Sequence, residues 1–275
     1  MNDIATRAER FSRLHTRPGI FAIPNPWDAG SARVLAALGF EALATTSAGF
    51  AFSLGRPDAE GAITREETLA NARTIVDATA LPVSADLENG FADDPAACAE
   101  TIELAAKVGL AGGSIEDATG RASDPIYPFA LAVERVAAAV KAARGLPFPF
   151  TLTARAENLI NGRPDLGDTI RRLEAFAAAG ADVLYAPGLK SRADIETVVK
   201  AVAPRPVNVV MGLSGAALSL DELGAIGVKR VSLGSSLARA AYGAFVRAAR
   251  EVRSGGTFTF ADAAIPYADI NAMFR

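Results

Sequence analysis

The sequence predicts an α/β protein folded as a single (β/α)8 barrel, a TIM barrel. Three observations point there: alanine-rich helical stretches that stop at a glycine, short apolar runs after each stop, and acidic residues where those runs end. Glycine after a helix is the usual left-handed stop, because it has no Cβ to clash. Ala36-Ala37-Leu38-Gly39, Ala105-Ala106-Lys107-Val108-Gly109, Ala177-Ala178-Ala179-Gly180 and Ala225-Ile226-Gly227 all fit this pattern. The short runs that follow suit strands buried on both faces, as in a parallel sheet.

Taken in order, the runs predict eight strands: Phe21–Pro24, Ala42–Thr46, Pro82–Asp86, Gly113–Glu116, Phe150–Arg155, Val183–Ala186, Val207–Val210 and Arg230–Leu233. Helix starts lie between them. Thr64-Arg65-Glu66-Glu67 and Ser219-Leu220-Asp221-Glu222 fit the capping box, and Ser191 is a further N-cap. Eight strands alternating with helices over this length fit the barrel. A doubly wound open sheet is the competing arrangement. It needs a phosphate-binding glycine turn after its first strand, and Pro24-Asn25-Pro26-Trp27 is not one. No composition shift marks a second domain, so residues 1–275 read as one barrel domain. The tail from 255 to 275 lies past the last barrel helix. Its aromatics (Phe258, Phe260, Tyr267, Phe274) are costly to leave wet, which predicts packing on the barrel or a neighbouring subunit.

Composition narrows the function. The 275 residues are 50% hydrophobic and 21% charged, with a net charge of -3, which argues against disorder and offers no basic stripe for nucleic acid. Arg7, Arg10, Arg13 and Arg17 are interleaved with Asp3 and Glu9, as on a solvated helix face. The single cysteine, Cys98, excludes an intrachain disulfide and a cysteine-based zinc site. No run is long enough to cross a bilayer, and the N-terminus lacks the apolar core of a signal peptide, so a cytoplasmic enzyme is expected.

The strand ends hold the candidate chemistry. Asp86 and Glu88 close the third strand, Glu116-Asp117 the fourth, and Arg155 with Glu157 the fifth. Asp86 and Glu88, at i and i+2, are expected to face the same side of an extended segment. Carboxylates beside an apolar core need compensation, and clusters in equivalent positions suggest one shared site. Asp86, Glu88 and Glu116 are hard oxygen donors without nearby His or Cys, which favours Mg2+, with Mn2+ possible, over Zn2+. Asp86 is expected to touch the metal directly and the others through water. Arg155 can grip a carboxylate or phosphonate in bidentate fashion. Thr46, Ser47 and Ala48 form a small turn whose backbone N–H groups suit an anionic oxygen. Trp27, after the first strand, and Gly212, after the seventh, complete the expected substrate contacts. Metal, arginine and N–H groups together suit a 2-oxo acid reacting through its enolate. Each residue also has a plainer reading: Asp117 as a turn cap, Arg155 with Glu157 as a structural ion pair, Thr46-Ser47 as ordinary loop.

These residues also carry a family resemblance. Trp27-Asp28-Ala29-Gly30-Ser31-Ala32, Thr46-Ser47-Ala48, Ser53-Leu54-Gly55-Arg56-Pro57-Asp58, Asp86-Leu87-Glu88-Asn89-Gly90, Ile115-Glu116-Asp117, Ala154-Arg155-Ala156-Glu157 and Ala179-Gly180-Ala181-Asp182 resemble the isocitrate lyase/phosphoenolpyruvate mutase superfamily. The resemblance implies a Mg2+-dependent lyase or hydrolase that makes or breaks a C–C or P–C bond beside a 2-oxo acid enolate. It implies that Asp86, Glu88 and Glu116 hold the metal and its waters. Thr46, Ser47 and Ala48 would hold the substrate carboxylate, Arg155 another oxygen, and Asp58 would sit on a loop near the reacting centre. Asp58, Arg155 and Glu116 are therefore the expected catalytic residues. The resemblance also implies a homo-oligomer, dimer or tetramer, in which neighbours exchange the helix over 237–250.

The departures matter as well. The cleaving lyases carry a catalytic cysteine in the loop after strand four; here that loop reads Ala118-Thr119-Gly120-Arg121-Ala122-Ser123-Asp124-Pro125, without cysteine or histidine. It also lacks the lysine and asparagine of the mutases, which leaves Arg121, Ser123 and Tyr127 as candidate acids. Cys98 and the sole histidine, His15, lie elsewhere, and Glu88 stands where aspartate is usual. Two other readings stay open: a Schiff-base aldolase using Lys190, which would have to be desolvated, and a non-catalytic 2-oxo acid binder.

Overall fold

The structure, a computed structural model, describes residues 4–58, 61–212 and 217–275. Eight parallel strands form one sheet in the order β1-β8-β7-β6-β5-β4-β3-β2. They are β1 (Phe21–Ile23), β2 (Leu43–Ala44), β3 (Val83–Asp86), β4 (Gly112–Glu116), β5 (Thr151–Arg155), β6 (Val183–Tyr185), β7 (Val207–Val210) and β8 (Arg230–Ser232). β1 pairs with β8, so the sheet curls into a nearly closed barrel. The remaining seam, between β1 and β2, is crossed by the Ala44 N–H bonding to Pro24 O at 3.1 Å. Asn25 staples the same corner. Its Nδ2 donates to Thr45 O, and its Oδ1 accepts the N–H groups of Leu233 and Gly234.

The helices are α1 (Ile4–Thr16), α2 (Ala29–Ala37), α3 (Ser47–Ser53), α4 (Arg65–Ala78), α5 (Pro95–Lys107), α6 (Phe129–Arg144), α7 (Leu166–Ala178), α8 (Arg192–Val202), α9 (Leu220–Ala225), α10 (Ser236–Gly255) and α11 (Tyr267–Ala272). The expected capping boxes form at Thr64/Glu67 and Ser219/Glu222, and Ser191 caps α8. The four glycine stops, Gly39, Gly109, Gly180 and Gly227, all have positive φ. β2 is shorter than its apolar run because Thr46 leaves the sheet to cap α3, accepting the Gly49 N–H. That short helix replaces the expected turn over Thr46, Ser47 and Ala48.

One paired row, Phe21–Arg230–Asn208–Tyr185–Arg155–Glu116, climbs from the start of β8 to the ends of β5 and β4. Residues paired in this way face the same side of the sheet, so the row links the floor of the barrel to the rim at the strand ends. α1 closes the floor. Phe11 and Leu14 pack with Phe21, Ile23, Ala42 and Ala111. Gly112 makes room, since a Cβ there would lie 2.8 Å from the Phe11 ring.

α10 behaves differently. Of its 20 residues only Ala238 is buried, while Tyr242, Phe245, Val246 and Val252 stay exposed. The tail follows suit. Phe258, Phe260 and Phe274 are exposed and Tyr267 is 85% exposed, so the tail does not bury its aromatics on its own barrel. Among the described residues no helix is long and apolar enough to cross a membrane.

Candidate active site

Arg155, the last residue of β5, is the hub of the rim. Its NH1 pairs with Asp86 Oδ1 at 2.9 Å, its NH2 with Glu116 Oε2 at 3.1 Å, and its Nε donates to Glu157 Oε1 at 2.8 Å. Three strand ends thus converge on one guanidinium, whose side chain is largely buried. Burial opposes its charge, but Glu157, Glu116 and Asp86 overcome that and hold it firmly protonated. Burial in turn pushes Glu116 well above the usual carboxylate range, against the pull of Arg155. Glu157 is raised for the same reason. Arg155 and Glu157 form the expected ion pair, and both line the cavity described below.

Asp86 divides its oxygens. Oδ1 takes Arg155, while Oδ2 accepts the Ser47 hydroxyl at 3.0 Å and lies 3.5 Å from the Ser47 N–H. Glu88 does not continue an extended segment, as its i+2 spacing from Asp86 suggested. β3 ends at Asp86 and Glu88 turns to φ +48, a conformation seldom adopted by a residue with a side chain. The turn still aims it at the same space: Asp58, Asp86, Glu88, Glu116, Arg155 and Glu157 line one cavity of about 270 Å3. Loss of water, then the charges of Asp86 and Asp58, raise the Glu88 carboxyl to about 7. Asp58 stands exposed at the mouth. Loss of water around its carboxyl, then Asp86, raise it as well.

A second, deeper cavity of about 230 Å3 shares Ser47, Asp58, Asp86 and Arg155 with the first and adds Thr46 and Ala48. The structure therefore gathers Asp58, Thr46, Ser47, Ala48, Asp86, Glu88, Glu116 and Arg155. Trp27 and Gly212 line neither cavity. Trp27 packs by α3, its Cβ close to Gly49, and Gly212 is exposed beside Ser236. Lys190 is exposed and outside both cavities, without the desolvation a Schiff-base lysine needs. Cys98 is buried in α5, and burial raises its thiol to about 11.

The loop after β4 is tied down. Arg121 NH1 reaches both Asp93 oxygens at 2.9 Å, and the Tyr127 hydroxyl donates to Asp93 at 2.5 Å. Burial, then Asp93, pushes the Tyr127 hydroxyl up to about 12. Beneath the rim, Asp117 is no turn cap on the surface. It is buried, accepts the Glu157 N–H at 2.7 Å, and pairs with Arg172 at 3.1 Å. It fixes the backbone that carries Glu157, a role its burial reveals and its sequence position did not. Tyr185 was also missed by sequence reading: the Arg155 guanidinium lies 5.1 Å from the centre of its ring.

The donor set fits a hard dication. Carboxylate oxygens line one cavity without thiol or imidazole, and burial first, then the neighbouring carboxylates, raises the carboxyls of Glu88 and Glu116. Among the described residues no three His, Cys, Asp or Glu side chains are placed to hold one ion together.

Comparison with known proteins decides the family. A family model described as phosphoenolpyruvate phosphomutase matches residues 11–253. The chain belongs to that family. A solved structure from Burkholderia cenocepacia J2315, provisionally described as a lyase/mutase, shares 64% identity over 98% of this chain and 96% of its own, with a TM-score of 0.96. An uncharacterised protein of Mycobacterium tuberculosis is 33% identical over 95% of both chains. Oxaloacetate acetylhydrolase, bound to 3,3-difluorooxalacetate, is 26% identical over 100% of this chain and 94% of its own, with a TM-score of 0.88. Other matched members are named 2-methylisocitrate lyase, oxaloacetate decarboxylase and phosphoenolpyruvate phosphomutase. The phosphoenolpyruvate mutase/isocitrate lyase superfamily to which this chain belongs thus comprises lyases, hydrolases and mutases.

Proposed function

We propose that this family member is a Mg2+-dependent lyase or hydrolase that makes or breaks a C–C or P–C bond of a small 2-oxo acid, or its adduct, through an enolate. The observation that carries the reading is the clasp of Arg155 by Asp86, Glu116 and Glu157 at the rim, with Ser47 bridging to Asp86. Asp86 would hold the Mg2+, with Glu88 and Glu116 acting through water. When bound, the ion supplies Lewis-acid stabilisation of the enolate oxygen. The protein does the rest. Arg155 orients a substrate oxygen with a planar fork that lysine cannot reproduce. Thr46, Ser47 and Ala48 present polar groups to the substrate carboxylate. Asp58, at the mouth with its carboxyl raised, carries the proton for the reacting carbon on its carboxyl oxygens.

The test is a thermal-shift panel of oxalate and 2-oxo acids, with and without Mg2+. A ligand at about a hundredfold over its Kd stabilises the fold by roughly 2.7 kcal/mol. The expected result is a Mg2+-dependent shift that Asp86→Ala removes. Unchanged Mg2+-dependent affinity in that variant sinks the site assignment. Binding without turnover across a broad adduct panel would favour the non-catalytic reading, which the absence of cysteine and histidine from the loop over 118–125 supports.

We also propose that α10 docks on a second copy of this chain. A 20-residue helix that buries only Ala238, followed by a tail of exposed aromatics, needs a partner for its apolar face. Light scattering should show an oligomer, and Phe245→Asp should dissociate it. A monomeric wild type ends this reading.

A further inference from the structure

Arg230 enters the barrel from the first position of β8 and lies on the floor of the deeper cavity. Its Nε donates to Asn208 Oδ1 at 2.8 Å, its NH2 to Thr153 Oγ1 at 2.9 Å, and its NH1 stands 3.3 Å from His15 Nε2. His15 is neutral and its tautomer is fixed. Nδ1 faces Phe11 O at 2.9 Å, and a carbonyl can only accept, so Nδ1 carries the proton and Nε2 receives Arg230. All three partners are therefore neutral. No acidic side chain among the described residues pairs with Arg230, although it is buried. A buried cation with hydrogen bonds but no counter-charge is costly.

The surroundings suit an anion. Ser84, Ser114 and Ser232 line the same cavity as Arg230 and bring hydroxyl groups to it. Each terminal nitrogen of a guanidinium also has a second N–H to give. The space is continuous with the rim, because Arg155, Asp86 and Ser47 line it too. Thr153, which Arg230 reaches, lies two residues before Arg155 on β5, roughly 7 Å lower along the strand. That is the span of a short dicarboxylic acid.

We propose that Arg230 makes the floor of the barrel cavity a second anion-binding position, for the far carboxylate of a dicarboxylic 2-oxo acid or for a free monovalent anion such as chloride. The first occupant rests on the proposed function; the second does not.

Two measurements separate the outcomes. The first is Mg2+-dependent binding of oxaloacetate and 2-oxobutyrate, which differ by a carboxylate in place of a methyl, in competition with oxalate. The second is anomalous diffraction from wild-type crystals grown in bromide. A carboxylate arm predicts at least a tenfold preference for oxaloacetate in the wild type, falling to within threefold in Arg230→Met and partly retained in Arg230→Lys. A free anion predicts no such preference, together with a bromide peak beside Arg230. The bromide arm uses the wild type and so does not depend on either variant folding. No preference and no bromide peak overturn the proposal and leave the cavity to water. A bromide peak without any Mg2+-dependent oxalate binding would instead defeat the proposed function while the anion position stands.

Discussion

Arg155 and Arg230 both sit inside the barrel, one at its rim and one at its floor, but their neighbours differ in kind. Arg155 is held by three carboxylates. Arg230 is held by an amide oxygen, a hydroxyl and a neutral imidazole. The rim therefore overcomes the cost of burying a guanidinium, whereas at the floor burial dominates and lowers Arg230 to about 10. The lesson is that hydrogen-bond satisfaction and charge compensation are separate conditions. The rim meets both with its own residues, the floor only the first.

Removing each arginine should expose that difference. Arg155→Met removes the counter-charge of three largely buried carboxylates and should cost about 3–5 kcal/mol in urea unfolding at pH 8. The loss should shrink toward pH 5, because acids whose folded carboxyls are raised regain stability as they take up protons. A loss under about 1 kcal/mol would deny the clasp its structural weight. Asn25→Ala leaves the Leu233 and Gly234 N–H groups without their acceptor at the barrel seam, and about 2–3 kcal/mol is expected by the same measurement.

His15 gives the floor a pH signature. Burial, then Arg230, lowers it to about 3 from 6.5, so the unfolded chain binds the proton first. Stability contributed by the neutral ring is complete above pH 6.5 and declines by roughly 1.4 kcal/mol per pH unit as pH falls toward 3. His15→Gln should flatten that part of the stability curve; an unchanged slope would show that other groups set it. Arg230→Met leaves only neutral acceptors behind and should cost about 1–2 kcal/mol, well short of Arg155→Met. At the surface, Arg121→Ala breaks an exposed pair with Asp93 and should change stability by less than about 1 kcal/mol.

The barrel was legible because its punctuation is local. A glycine stop or a capping box needs only a few residues, and Gly39, Gly109, Gly180 and Gly227 turn where expected. Asp86, Glu116 and Arg155 were legible because strand ends in this fold point to one face. The rest depended on backbone turns and long-range contacts. Glu88 lost its extended geometry to a left-handed turn. Trp27 and Gly212 follow strand ends in sequence yet line neither cavity. Arg230 and His15 gave no signal, since nothing in a sequence places residues 215 positions apart in one hydrogen bond. A lone histidine on an N-terminal helix reads equally as structural or solvated, and the closed barrel shows it buried.

The seam between β1 and β2 carries a consequence for breathing. Pro24 and Pro26 flank Asn25 and bring no N–H to the ladder, so this corner of the ring relies on Ala44 and one amide side chain. Subglobal opening follows the sparsest bonding, and here that is the wall adjoining Thr46 and Ser47. Deuterium should enter at the Ala44 amide before it reaches the middle of β4 and β5. The side of the barrel proposed to hold the substrate carboxylate is then also the side that relaxes first, and on that proposal ligand binding should slow exchange there most.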